Sequence, residues 1–215
     1  MTIYRDGAAP LTTPRITVVT AGLGQPSSTR LLADRLAAAT TKQLVSAGRT
    51  PLLDVIELRD HAHDLANNLV TGFAPPALRE AIEQVTTADG LIAVTPIFTA
   101  SYSGLFKMFF DVLEPDSLTG MPVVIGATGG TPRHSLALDH AVRPLFTYLR
   151  AIVVPTGVYA ATDDWGAADG EHALAGRIDR GGRELADLVA GRPARRVADP
   201  YAEPTPFEQL LAGQG

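Results

Sequence analysis

Three short stretches bring together glycines, hydroxyls and aromatic side chains in a pattern suited to holding a ligand. The first is Ala127-Thr-Gly-Gly-Thr-Pro-Arg-His134, which follows the apolar run Met121 to Ala127. With no Cβ at Gly129 or Gly130, backbone amides there can lie flat against a planar ligand or approach a phosphate closely. A Gly-Gly pair alone is better explained by a simple turn; two further stretches shift the balance.

In Gly22-Leu-Gly-Gln-Pro-Ser-Ser-Thr29, Ser27, Ser28 and Thr29 put three hydroxyls at the head of a helical pattern. Unpaired amides and the macrodipole favour an anion there, although an ordinary N-cap accounts for one of the three. Gly22-Leu-Gly24 begins like a dinucleotide fingerprint, but Ser27 stands at the third glycine position, and no Lys-Ser or Lys-Thr pair makes a triphosphate loop. A monophosphate fits this loop better than a pyrophosphate. In Thr95-Pro-Ile-Phe-Thr-Ala-Ser-Tyr-Ser-Gly104, Pro96 is expected to fix a turn beside Ile97. Phe98 or Tyr102 could wall a flat ring while exposed amides reach its polar edge, and Thr99 and Ser103 are further candidates for cofactor binding.

The strands and helices that flank these loops alternate along the chain. Strands are expected at Arg15 to Ala21, Leu52 to Leu58, Gly90 to Thr95, Met121 to Ala127 and Ala151 to Pro155. Helices are expected at Arg30 to Ala47, from Pro75-Pro76 to Thr87, and over Ser103 to Leu113, Ser135 to Arg150 and Glu171 to Ala190. Residues 60–71 are ambiguous. This alternation implies an α/β fold with right-handed crossovers: a flavodoxin-like three-layer sandwich around a five-stranded parallel sheet of order 2-1-3-4-5. Such sheets bind ligands beyond the carboxyl ends of their central strands, and the three loops leave strands one, three and four. Residues 15–192 form the expected domain, between an N-terminal arm (1–14) and a proline-rich C-terminal tail (193–215).

A chain of 215 residues with 46% hydrophobic content can build one sizeable core. A net charge of −5 without a basic cluster argues against nucleic acid as a partner. The absence of cysteine removes disulfides, thiolate catalysis and Cys-ligated metal from consideration. Neither a signal sequence nor an apolar run near the ~20 residues needed to span a bilayer is read, so a cytoplasmic location is expected and no membrane association. His61 and His63 with Asp60 and Asp64 lack a third fixed ligand and read as a solvated helix start, not a metal site. Phe106, Met108, Phe109 and Phe110, at helical spacing, read as core and subunit-interface residues.

Taken together, Pro96-Ile-Phe98, Tyr102-Ser-Gly-Leu-Phe-Lys107, Ala127-Thr-Gly-Gly-Thr131 and Leu138-Asp-His-Ala-Val-Arg-Pro-Leu145 carry a resemblance. From about residue 15 to 190 the chain resembles the NAD(P)H-dependent FMN reductases of the flavodoxin-like superfamily. It looks especially like the reductase components of two-component flavin monooxygenases, such as alkanesulfonate monooxygenase systems. The resemblance implies FMN with its phosphate at Ser27, Ser28 and Thr29. Its isoalloxazine would lie between the Pro96–Thr99 and Thr128–Thr131 loops, and NADPH or NADH would deliver hydride from nicotinamide C4 to flavin N5. No side-chain acid or base is demanded, so no catalytic residue is named. Arg133 is the nearest basic residue for a nicotinamide nucleotide phosphate.

Many family members read Gly-Ser-x-Arg in the first loop, and this chain does not, which weakens the phosphate site. The resemblance also implies a homodimer or homotetramer, a flavin-dependent monooxygenase partner, and an irregular turn in the helix carrying His140. The rivals are a quinone or azo reductase with fixed FMN, a flavodoxin-type electron carrier, and a binding module without redox chemistry. Trp165 is expected to be a packing anchor, with a cover over a neighbouring subunit's flavin as the alternative. Tyr201, Phe207, Leu210 and Leu211 in the tail could pack on another subunit.

Overall fold

The β-branched run at the start of the domain becomes the strand on which the sheet is laid. In the computed structural model, which describes residues 13–166 and 168–191, β1 (Arg15–Thr20) pairs in parallel with β2 (Leu52–Glu57) on one side and β3 (Gly90–Phe98) on the other. β3 then pairs in parallel with β5 (Pro122–Gly129), and antiparallel with the short β4 (Ser101–Tyr102). β6 (Ile152–Val153) and β7 (Val158–Ala161) both pair with β5, β6 near its start and β7 near its end. The order is β2-β1-β3-β5-β6, the expected five-position parallel sheet with two additional short strands. The expected arm lies outside the described residues except at 13 and 14, and the expected tail, with Tyr201, Phe207, Leu210 and Leu211, lies wholly outside them.

Helices cover both faces because both faces of the central strands are apolar. On one face, α1 (Ser28–Ser46) and α6 (Ala168–Ala190) pack Leu32, Leu36, Leu174 and Leu185 against Ile16, Val18, Ile92 and Val124. On the other lie α2 (Ala62–Thr71), α3 (Pro76–Thr86), α4 (Gly104–Asp111) and α5 (Arg143–Tyr148). Phe106, Phe109 and Phe110 are buried here, and the Phe110 ring centroid stands 4.8 Å from those of both Phe106 and Phe146. Each buried ring stabilises the fold by on the order of 1.5–3 kcal/mol.

Three expected segments come out differently. β3 runs on to Phe98, and Pro96 sits inside it opposite Thr128, so Pro96 does not fix a turn. The turn comes later, at Thr99 and Ala100, where the hairpin into β4 reverses. The expected fifth strand is broken after Val153 and resumed at Val158; Pro155 and Gly157 cannot sustain a continuous ladder. Its outer edge is held by side chains instead. Arg143 donates to the Val154 carbonyl at 2.9 Å and the Pro155 carbonyl at 3.0 Å, and Arg177 donates to the Tyr159 carbonyl at 3.2 Å. The Thr156 N–H donates to Glu184 at 2.8 Å and the Ala161 N–H to Asp164 at 2.9 Å. Charged caps of this kind blunt an exposed sheet edge.

The expected helix Ser135 to Arg150 is also interrupted. A short 3-10 turn, Pro132–His134, is followed by a π-helical turn at Leu138–Val142 before α5 begins. The Arg143 N–H reaches back five residues to the Leu138 carbonyl. Pro144 has no N–H for the His140 carbonyl, and its ring crowds that position, which favours the wider turn. The irregularity that the family resemblance implies therefore lies at His140, and proline supplies its physical cause.

Candidate active site

At the C-terminal ends of β1, β3 and β5 the three loops converge on a crevice of about 420 Å³. It is lined by Leu23, Gly24, Pro26, Ser27, Ser28 and Thr29 from the first loop, by Pro96, Ile97 and Phe98 from β3, and by Thr128, Gly129 and Gly130 from β5. Ala160, Thr162 and Trp165 complete the wall. None of these lining side chains is ionisable, so any proton or electron chemistry carried out here has to come from what binds.

The three hydroxyls of the first loop have separate tasks. Ser27 is the N-cap of α1, with extended backbone, and its Oγ accepts the Arg30 N–H at 3.2 Å. Gly22 permits this: a Cβ there would stand 2.0 Å from Ser27 Oγ. Thr29 is buried, and its Oγ1 shares a hydrogen bond of 2.8 Å with Thr128 Oγ1 at the end of β5. Ser28 remains exposed beside the helix N-terminus, where amide dipoles attract an anion. The Gln25–Pro26 peptide in this loop is cis.

The ring-sized part of the crevice is bounded by backbone and apolar surface. Pro96 is buried, Ile97 half-buried and Phe98 47% exposed at the crevice mouth. The hairpin carrying them turns through Thr99 (φ 49°) and Ala100 (φ 67°), a left-handed pair that tight two-residue hairpins demand and non-glycine residues resist. Across from it, a Cβ on Gly129 would stand 2.1 Å from the Tyr159 hydroxyl. That hydroxyl donates to the Thr131 carbonyl at 2.8 Å and so fixes the loop after β5. Burial, with the Asp164 charge adding to it, raises the Tyr159 phenol above its ordinary pKa and keeps it a neutral donor. Among the described residues, and apart from Gly130 and its two chain neighbours, no atom lies within 4 Å of where a Cβ on Gly130 would stand, so the space beside this backbone is left open.

Not all the residues expected at the site line the crevice. Thr99 is at the hairpin tip. Ser103 is buried and caps α4, accepting the Phe106 N–H at 3.2 Å, while its own N–H donates to Thr95 Oγ1 at 3.1 Å. Tyr102 lines a different cavity of about 620 Å³ between α4 and the π turn, together with Lys107, His140 and Tyr148. Thr131 Oγ1 accepts the Arg133 N–H at 3.1 Å, and Arg133 itself is exposed. Conversely, Tyr159 escaped sequence reasoning because its strand did. Trp165 is a wall of the crevice as well as a packed residue, with the Arg35 guanidinium 5.0 Å from its ring centroid. Among the described residues no group of three or more His, Cys, Asp and Glu side chains could hold a metal, and no helix is long and apolar enough to cross a membrane.

A parallel sheet with a hydroxyl-rich helix N-terminus after β1, and a non-ionisable cleft between the ends of β3 and β5, is the site geometry of a flavin-binding oxidoreductase of the flavodoxin-like class. FMN fits the donor set: hydroxyls and amides at one end for a monophosphate, open glycine backbone and apolar walls at the other for a tricyclic ring. The sequence agrees at the level of family: residues 14–166 match the model for NADPH-dependent FMN reductase, and the chain belongs to that family. It is similar to an FMN reductase (NADPH) of Pseudomonas aeruginosa, with 38% identity over 72% of this chain and 81% of the relative. It is also similar to the NADH-dependent FMN reductase SfnE of Pseudomonas putida, with 33% identity over 86% and 98%. Among solved structures, an oxidoreductase from Corynebacterium diphtheriae superposes with a TM-score of 0.81 at 45% identity, covering 84% of this chain and 99% of that one.

Proposed function

We propose that this chain reduces FMN with NADPH or NADH in the crevice at the C-terminal edge of its sheet, and that the flavin leaves as product to serve a flavin-dependent monooxygenase. The observation that carries the reading is a crevice with amides, hydroxyls and apolar walls but no ionisable side chain, in a member of the FMN reductase family. When bound, FMN supplies the chemistry, accepting hydride from the nicotinamide. The chain's own work is placement. Ser27, Ser28 and the first amides of α1 hold the phosphate, with Thr29 bracing them from below. Pro96, Ile97 and Phe98 form one wall of the ring site. Amides at Gly129 and Gly130 lie at its polar edge, where they stabilise negative charge as the ring is reduced.

Thr99, Tyr102, Ser103 and Thr131 shape the hairpin and loop that bear these contacts. Arg133, exposed beside the crevice, is the residue available to a nicotinamide nucleotide phosphate. Tyr148, 82% exposed beside the Tyr102–His140 cavity, supports assembly into a homodimer or homotetramer through this face. The test is NAD(P)H oxidation in air with and without added FMN. Oxidation that is slow alone and saturates with micromolar FMN supports flavin as substrate. Yellow protein that keeps its flavin through gel filtration and reduces quinone without added FMN replaces this reading with a fixed-flavin reductase.

A further inference from the structure

Both ends of the loop from Gly24 to Ser28 are tied to one carboxylate. Glu57, the last residue of β2, has a side chain only 19% exposed, and its two oxygens pair with two different arginines. One is Arg30, in the first turn of α1 just beyond the loop; the other is Arg59. Arg59 in turn donates to the Gly24 carbonyl at 3.1 Å. With the Gln25 carboxamide oriented so that its oxygen faces the guanidinium, it accepts from Arg59 at 3.1 and 2.9 Å. A closed circuit results, running from Gly24 through Arg59 and Glu57 to Arg30, with Ser27 and Ser28 on the span between. None of the three charged residues lines the crevice.

A loop that binds an anion through amides and hydroxyls does so well only if those groups are already aimed. Arg59 spreads one planar guanidinium over Glu57, the Gly24 carbonyl and the Gln25 carboxamide, which fixes their relative directions as a single neutral hydrogen bond does not. A Gly24 carbonyl engaged by Arg59 is also not free to turn its negative end toward a phosphate. We propose that Arg59 and Glu57 are positioning residues for the flavin phosphate, and that by holding this loop they set the preference for FMN over unphosphorylated riboflavin. The proposal rests on the reading that this loop takes the phosphate of FMN.

The test uses the full chain and its Arg59→Met, Arg59→Lys and Glu57→Gln variants, with KM and kcat for FMN and for riboflavin at saturating NADPH and a thermal melt of each. Wild type is expected to favour FMN. Arg59→Met leaves Glu57 still paired with Arg30, so the loss falls on the loop: KM for FMN rises about tenfold, KM for riboflavin moves by less than about twofold, and kcat shifts less than KM for FMN. Arg59→Lys recovers part of the difference, because an ammonium reaches an acceptor but cannot fork across several. Glu57→Gln keeps the side-chain shape, loses both ion pairs and gives the same selective rise; it carries the test should Arg59→Met fail to fold. An equal rise for both flavins, or none for either, overturns the positioning role while leaving the phosphate site in place. A wild type that does not distinguish FMN from riboflavin overturns the phosphate site itself, and this proposal with it.

Discussion

Thr29 Oγ1 and Thr128 Oγ1 meet at 2.8 Å in the buried floor of the crevice, 99 residues apart in the chain. The bond joins the first turn of α1 to the end of β5, and so ties the serine-bearing helix N-terminus to the glycine loop across the crevice. Changing one threonine to valine keeps the shape and strands the other hydroxyl in a buried place. Thr29→Val and Thr128→Val are each expected to cost about 1–3 kcal/mol. The double variant, with no orphaned hydroxyl, is expected to cost less than the sum. A denaturant double-mutant cycle reads the coupling, and strictly additive losses would remove the bond from the account.

Gly129 is where the backbone has no room for a side chain, since a Cβ would stand 2.1 Å from the Tyr159 hydroxyl. Gly129→Ala is expected to lower stability by about 1–3 kcal/mol and raise KM for FMN, because either the strand end or the tyrosine must move. Adding Tyr159→Phe removes the offending oxygen and is expected to restore part of the stability. Thermal melts of the single and double variants check this, and a double variant no better than Gly129→Ala alone would refute the contact.

Tyr159 also gives a pH signature. Its folded pKa is raised by burial, with Asp164 adding to it, above the ordinary value of 10.0. The stability it contributes is therefore fully present below about pH 10 and is lost as pH rises through the higher folded value, because the unfolded chain ionises first. Chemical denaturation between pH 8 and 11 is expected to show a decline at the alkaline end that is shallower in Tyr159→Phe. Identical profiles for the two proteins would contradict the assignment.

Much of this architecture was legible in the sequence, and what was not has local causes. The buried β1, β3 and β5 announced themselves as β-branched runs, and the glycine and serine loops after them pointed to the crevice. Val158–Ala161 did not, because its two β-favouring residues, Val158 and Tyr159, are followed by two alanines and leave too short a run, which becomes a strand by pairing with the end of β5. Its loss hid Tyr159, and with it the clamp on Thr131. The crevice role of Trp165 depends on where that strand ends. Tyr102 and Ser103 read as ligand-facing when their segment is taken as an open loop; the hairpin places Tyr102 along a second cavity and Ser103 in a buried cap. Pairings such as Glu57 with Arg30 and Arg59 leave no spacing signal at all.

The hairpin tip stores strain that a glycine would release. Ala100 has φ 67°, a left-handed conformation that costs an alanine about 1–2 kcal/mol. Ala100→Gly is expected to stabilise the fold by roughly 0.5–1 kcal/mol, the remainder being offset by the added freedom of the unfolded chain. A rise in melting temperature checks it, and a fall would mean that the turn is not held in this form.

FMN is expected to occupy this crevice, and the chain carries its own reporter. Trp165 is the sole tryptophan and lines the crevice wall. Titrating the protein with FMN while following tryptophan emission is expected to give saturable quenching with one site per chain, weakened when Ser28 is replaced by an acidic residue that repels the phosphate. Emission that falls only in proportion to added flavin, without saturation, would contradict the assignment of this crevice to FMN.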